Sequence, residues 1–325
     1  MVFEAIIGSF SIGALCAFIV SKIGKKISLI DIPNERSSHT ISTPRGGGIG
    51  LWIAFIFVGV FFVKEPSAAI ILSATGLLGL LGDIFSFSSK VRLTAQFVIA
   101  AVAAWLFAGL PDSMLKLAVF LFWIIFITGT ANFYNFMDGI NGIAGVTGVV
   151  GFGLMAFFSY FIAKETDLTL LSIVLSAACL GFLPFNFPKA TVFMGDVGSI
   201  FLGFVFASFV VKLSKDIGVF LCLIMFLSMF YADSIVTIFY RWKRGEPLMQ
   251  AHRQHLYQYL SNELGLPHWK VSMLYAVIQL VLGGVSILAY MAGLIYQISL
   301  IISFSLLFIL CYRYVRSFSP VILKN

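Results

Sequence analysis

Hydrophobic positions in this chain come in long unbroken runs, and polar residues are largely confined to the breaks between them. The runs fall near residues 2–20, 46–63, 67–83, 93–110, 117–133, 142–162, 169–184, 197–212, 217–240, 271–290 and 297–315. Such runs suit helices that cross a bilayer, whose hydrocarbon core takes about 20 residues of helix. Lipid offers no partners for backbone N–H and C=O, and a helix satisfies both internally. A membrane barrel is excluded, because its strands would alternate at period two. The pattern predicts an all-α polytopic integral membrane protein of about eleven transmembrane helices, with residues 1–325 forming one domain.

Composition supports this reading: 60% of the residues are hydrophobic, 11% are charged and the mean hydropathy is +1.02. The first run lacks a basic leader and a convincing cleavage site, and Lys22, Lys25 and Lys26 follow it, so it reads as a retained helix. Cys16, Cys179, Cys222 and Cys311 lie singly in apolar segments, without metal-ligand spacing, and read as packing residues.

Charge adds orientation. If the first loop is cytoplasmic, 16 of the 21 Lys and Arg residues fall on the inner side. That asymmetry predicts the N-terminus outside, the C-terminus in the cytoplasm and a multi-pass protein of the cell inner membrane. The net charge of +7 is therefore a topology signal, with anionic headgroups and an anionic substrate as secondary causes. Nucleic-acid binding is not indicated.

The same orientation places the polar segments Asp31 to Gly48, Asp83 to Arg92, Asn132 to Asn141, Phe185 to Ser199 and Arg241 to Lys270 on the cytoplasmic face. Carboxylates beside hydrocarbon are costly unless paired, hydrated or bound to a cation. Asp196, opening the run after Phe193-Met-Gly, reads either as a helix N-cap or as a cation ligand. Asn135, Asp138 and Asn141 are spaced three apart and would share a face if helical; a polar turn is the alternative. Together the two stretches point to a cation site for a phosphorylated substrate. Magnesium fits best, with manganese as its substitute, because it takes oxygen ligands and needs only one or two carboxylates beside phosphate oxygens. His252, Arg253 and His255 offer phosphate donors, or simply a basic membrane-surface patch. Gly46-Gly47-Gly48 after Arg45 reads as an anion nest or a close helix contact.

These segments, in this order, resemble the polyprenyl-phosphate N-acetylhexosamine-1-phosphate transferases, relatives of phospho-N-acetylmuramoyl-pentapeptide transferase. The resemblance rests on Asp31-Ile-Pro-Asn34 with Thr43-Pro-Arg-Gly-Gly, Gly79-Leu-Leu-Gly-Asp83, Asn132-Phe-Tyr-Asn-Phe-Met-Asp-Gly-Ile-Asn141-Gly, Phe193-Met-Gly-Asp-Val-Gly-Ser199 and His252-Arg-Gln-His255. It spans nearly the whole chain and is nearest to the bacterial subgroup that initiates O-antigen and other surface glycans. It implies transfer of a sugar 1-phosphate from a UDP-N-acetylhexosamine to undecaprenyl phosphate, releasing UMP. It also implies magnesium on Asp196 and Asn135, and uracil stacked on Phe193. Asn141 would contact the nucleotide with Asp138 beside it, and Arg45, Arg92 and the segment from His252 to His255 would grip diphosphate and sugar. A homodimer is compatible with the family.

The chain departs from the family at one point: Gly82-Asp83 stands where an adjacent Asp pair is usual. Asp83 is then left to orient the acceptor or take its residual proton. Two rival classes are weaker. A CDP-alcohol phosphatidyltransferase would carry an Arg near Asp138-Gly139 and a later paired Asp spacing, both missing here. A secondary transporter would place acidic residues at mid-helix, for which Asp233 is the best case.

Overall fold

The computed structural model describes residues 2–24, 29–33, 38, 41–247 and 253–318. The chain forms helices α1 (Val2–Ile23), α2 (Ile49–Phe61), α3 (Pro66–Phe85), α4 (Ser89–Ala108), α5 (Met114–Phe136), α6 (Ile143–Phe158), α7 (Thr166–Asn186), α8 (Asp196–Leu213), α9 (Ile217–Ile224), α10 (Ser228–Lys243), α11 (Leu256–Asn262), α12 (His268–Ala292) and α13 (Leu294–Ser317). A π turn over Ser159–Ala163 extends α6, and a 3-10 turn over Met225–Leu227 joins α9 to α10 into one span.

Ten helical segments among the described residues are long and apolar enough to cross a membrane. The expected span near 46–63 is the exception. Helix α2 has 13 residues, which at 1.5 Å per residue gives about 20 Å, short of the ~30 Å hydrocarbon core. Its start is delayed because Gly46 to Gly48 are used in a turn that reaches another loop. Apolar side chains such as Leu115, Ile125, Leu288, Met291, Ile295 and Leu307 stay exposed on the outer surface, as lipid-facing positions do.

Helix α8 is the axis of the bundle. Every residue from Val197 to Val211 is buried, so this helix is apolar all round rather than amphipathic. It packs against α3 and α5, and small residues allow the approach: a side chain at Gly203 would sit 2.7 Å from Tyr134 Cβ on α5. Because α8 starts at Asp196, its burial carries that carboxylate to the centre of one end of the bundle. The ends of α3, α5 and α7 and the starts of α4, α6 and α12 arrive at the same end, which therefore gathers the polar loops.

Candidate active site at the polar end of the bundle

Three distant segments knit the floor of this end. Strands β1 (Ile30–Asp31) and β2 (Thr43–Pro44) pair antiparallel, with Ile30 opposite Pro44 and Asp31 opposite Thr43. The chain then bridges to Phe193 through Arg45. Phe193 N–H donates to Pro44 C=O at 2.8 Å, Gly47 N–H to Phe193 C=O at 2.9 Å and Gly48 N–H to Met194 C=O at 2.9 Å. A side chain at Gly48 would collide with Gly198. The glycine run therefore serves close packing, and its N–H groups at 47 and 48 are engaged by backbone rather than open to an anion.

Above this floor is a cavity of about 210 Å3. Arg45, Asp83, Asn135, Asp138, Asn141, Phe193 and Asp196 all line it, so it brings together most of the residues singled out from the sequence. Asp31, Asn186, Gln258 and His268 line it too. Arg92 and His255 line an adjoining groove of about 520 Å3 that opens between α4 and α5. The two hollows share Asn135, Gly139 and Gln258. Arg253 lines neither and pairs with Glu263 at 3.7 Å. His252 lies outside the described residues.

Asp196 is not an N-cap. Gly195 precedes it with φ +76° and holds the capping position. A side chain there would also stand 2.7 Å from Asp83 Oδ2, so both backbone and space require glycine. The Asp196 carboxylate is instead held from two sides, by an ion pair with Arg92 and by Asn135 Nδ2, which donates to Oδ1 at 2.9 Å. Asn135 Nδ2 also donates to Ser199 Oγ at 2.8 Å. Asp83, 4% exposed, accepts from Val197 N–H at 3.2 Å, and its Oδ1 lies 3.7 Å from Arg45 Nε. Arg45 Nη2 donates to the Asp83 carbonyl at 2.6 Å. Asp83 is thus tied to the base of α8.

The three-residue spacing of Asn135, Asp138 and Asn141 does not reflect a helical face. Helix α5 ends at Phe136, and the chain turns through Asp138 and Asn141 to Gly142 at φ +83°. The turn nonetheless aims all three at one cavity. Desolvation, followed by the like charges of Asp83 and Asp31, pushes the Asp138 carboxyl well above the ordinary carboxylate range. The helix that follows the turn is held by Asn186, whose Oδ1 accepts from Gly142 N–H at 2.8 Å while its Nδ2 donates to Val192 C=O at 2.9 Å.

Asp233, the sequence's best case for a transporter carboxylate, is fully buried and saturated. It accepts from Leu256 N–H at 2.8 Å, Tyr257 N–H at 3.1 Å, Tyr275 O–H at 2.8 Å and Thr237 O–H at 3.1 Å. It anchors the start of α11, and with it Gln258 and Tyr257. Tyr257 O–H in turn donates to Phe136 C=O at 2.9 Å, closing α11 onto α5. The break between α9 and α10, which a transporter would line with charge, is filled by buried Met225, Phe226 and Leu227.

Four carboxylates, Asp31, Asp83, Asp138 and Asp196, face one cavity whose wall carries Arg45, with Arg92 behind Asp196. This acidic excess, made of oxygen donors and amides, suits a hard divalent cation. Among the described residues no group of three or more His, Cys, Asp or Glu side chains converges into a preformed cage. A cation held here therefore needs further oxygens from its ligand. That is the habit of magnesium with phosphates. The aromatic ring of Phe193 and the amide of Asn141 border the same space.

Residues 65–214 match the model of the family described as glycosyl transferase family 4. The chain is 27% identical to a probable undecaprenyl-phosphate N-acetylglucosaminyl 1-phosphate transferase of Bacillus subtilis, over 87% of this chain and 80% of that protein. It is 25% identical to the undecaprenyl-phosphate alpha-N-acetylglucosaminyl 1-phosphate transferase of Thermotoga maritima, over 83% of this chain and 84% of that protein. The Escherichia coli O157:H7 protein of that same description is also 25% identical, over 94% and 88%.

Proposed function

We propose that the cavity and groove of this chain, whose residues 65–214 match glycosyl transferase family 4, transfer N-acetylhexosamine 1-phosphate from a UDP-sugar to undecaprenyl phosphate. The observation that carries this reading is the shared wall. A polar, carboxylate-rich cavity meets, at Asn135, Gly139 and Gln258, a groove whose far side is apolar, with Phe97 and Ile125 exposed. A water-soluble nucleotide sugar suits the first hollow and a lipid phosphate the second.

In this reaction an oxygen of the lipid phosphate attacks the sugar-linked phosphorus, and the bond from that phosphorus to the UMP oxygen breaks. The attacking phosphate is largely ionised at neutral pH, its second pKa being about 6, so positioning and charge neutralisation carry most of the acceleration. Arg45 and Arg92 neutralise phosphate oxygens on either side of the wall. Phe193 stacks on the base and Asn141 binds the nucleotide. Asp138 lines the cavity beside Asn141, its carboxyl pushed up by burial and by the like charges of Asp83 and Asp31, and Asp83 orients the acceptor or takes its residual proton. Magnesium, held by Asp196 and Asn135, would supply charge neutralisation at the diphosphate.

The end that carries the cavity also carries most of the basic residues, which supports a cytoplasmic active site in the inner membrane and a role at the first membrane step of surface-glycan synthesis. The test is a panel of UDP-N-acetylhexosamines with purified protein, undecaprenyl phosphate and magnesium, scored for UMP. Release is expected only with both substrates. UMP formed without lipid would point to a two-step route through a phosphorylated carboxylate, and no release with any sugar would overturn the reading.

A further inference from the structure

Asn141 is held by the first turn of a helix more than 120 positions away. Its backbone N–H donates to His268 Nδ1 at 3.3 Å, and its carbonyl accepts from Ser272 Oγ at 2.8 Å. His268 and Ser272 are four apart at the start of α12, so they stand one turn above the other on the same face. They bracket a single residue, holding the two consecutive peptide units that meet at Asn141. A third contact orients the side chain, Asn141 Nδ2 donating to Pro188 C=O at 3.3 Å. The turn that contains Asn141 lies between two helices and is preceded by Asp138 and Gly139; Asn186 fixes its next residue, Gly142, and the bracket fixes Asn141 itself.

Accepting the Asn141 N–H requires the Nδ1 atom of His268 to be unprotonated, which places the ring proton on Nε2. His268 itself lines the cavity beside Asn141, and both also border an outer hollow with Phe187, Lys189 and Trp269. Ser272 is fully buried and outside the cavity. Neither residue has a function in the transfer chemistry described above. We infer that His268 and Ser272 are positioning residues for the donor, setting the backbone on both sides of Asn141 so that the cavity is preformed for the nucleotide of the UDP-sugar. This rests on the transferase reading, in which Asn141 meets the nucleotide.

Positioning through a hydrogen bond makes a prediction that a packing role does not. Asparagine at 268 keeps an acceptor oxygen near the place of Nδ1, whereas leucine fills the space and offers none. The experiment measures KM for UDP-sugar and for undecaprenyl phosphate, with thermal unfolding, in wild type, His268→Asn, His268→Leu and Ser272→Ala. His268→Leu is expected to raise the UDP-sugar KM about tenfold, matching one lost hydrogen bond of about 1.4 kcal/mol. The lipid KM should stay within twofold. His268→Asn should recover most of the loss, and Ser272→Ala should shift the same constant in the same direction. Equal UDP-sugar KM values in wild type and His268→Leu, equal effects of Leu and Asn, or a parallel rise in both KM values would overturn the assignment. A wild-type protein with no UMP release would instead overturn the transferase reading, so the two failures are distinct.

Discussion

Arg92, in the first turn of α4, is ion-paired with Asp196, the first residue of α8, across 104 positions of sequence. The pair forms the partition between the cavity and the lipid-facing groove, since Asp196 lines the first and Arg92 the second. Charge on either side of the partition is therefore felt on the other. A phosphate entering the groove meets an arginine already oriented by a carboxylate, and the carboxylate keeps its remaining hydrogen bond to Asn135.

Arg92→Ala removes both the partner of Asp196 and the proposed phosphate donor of the groove. The expected outcome is a fall in kcat/KM for undecaprenyl phosphate of about 30- to 100-fold, or about 2–3 kcal/mol. Arg92→Lys keeps the charge but not the planar fork and should fall between alanine and wild type. Steady-state kinetics with the lipid varied at saturating UDP-sugar measure this.

Asp138 gives a prediction with a sign. Its carboxyl is raised in the folded protein, so ionisation near neutral pH opposes folding, and its stabilising contribution belongs to low pH and is lost as pH rises. Asp138→Asn removes the ionisable group. The variant should unfold at a higher temperature than wild type near pH 7. The gap should close below about pH 4, where both side chains are neutral even in the unfolded chain. Turnover should drop at the same time. Calorimetry across pH, beside UMP release, checks both halves.

Gly82 stands where an adjacent Asp pair would place its first carboxylate, ahead of Asp83. A Cβ there would meet only Arg92 Cδ, at 3.4 Å, an ordinary contact. Gly82→Ala should therefore fold with equal or greater stability, by up to about 1 kcal/mol from helix propensity, and keep activity within threefold. Gly82→Asp should fold as well, since its carboxylate would face Arg92. Unfolding temperatures and UMP release for the two variants test this.

Much of the bundle was legible because lipid demands long apolar helices, and the polar loops were legible as the places where such helices stop. The rest depended on distant relations. Helix α2 is shorter than its run because Gly47 and Gly48 bond to residues 193 and 194. The turn from Asp138 to Gly142 imitates helical spacing, although α5 stops at Phe136 and Gly142 adopts a φ of +83°. Asn186 and His268 are lone polar residues whose partners, Gly142 and Asn141, lie 44 and 127 positions away. No local pattern marks His268. Asn186 did carry one signal, a polar amide closing an apolar run, which applies to the end of any span.

Asp233 shows what a saturated carboxylate does instead of chemistry. Asp233→Ala strands Leu256 N–H, Tyr257 N–H and Tyr275 O–H in a buried site. The expected loss is about 3–5 kcal/mol of stability, seen as a lower unfolding temperature in detergent. Residual turnover should fall further than the folded fraction, because α11, which carries Gln258, loses its anchor and the groove-lining His255 loses its pairing with Asp233, 3.4 Å from Nδ1 to Oδ1.

The central claim is that the cavity around Asp196 is where the sugar phosphate changes hands. The most direct measurement is UMP release from a UDP-N-acetylhexosamine by purified protein with undecaprenyl phosphate and magnesium, comparing wild type with Asp196→Asn at matched folding. Wild type should release UMP in a lipid-dependent manner, with at least a 100-fold lower rate in the variant. Equal rates in the two proteins would contradict the assignment of this site.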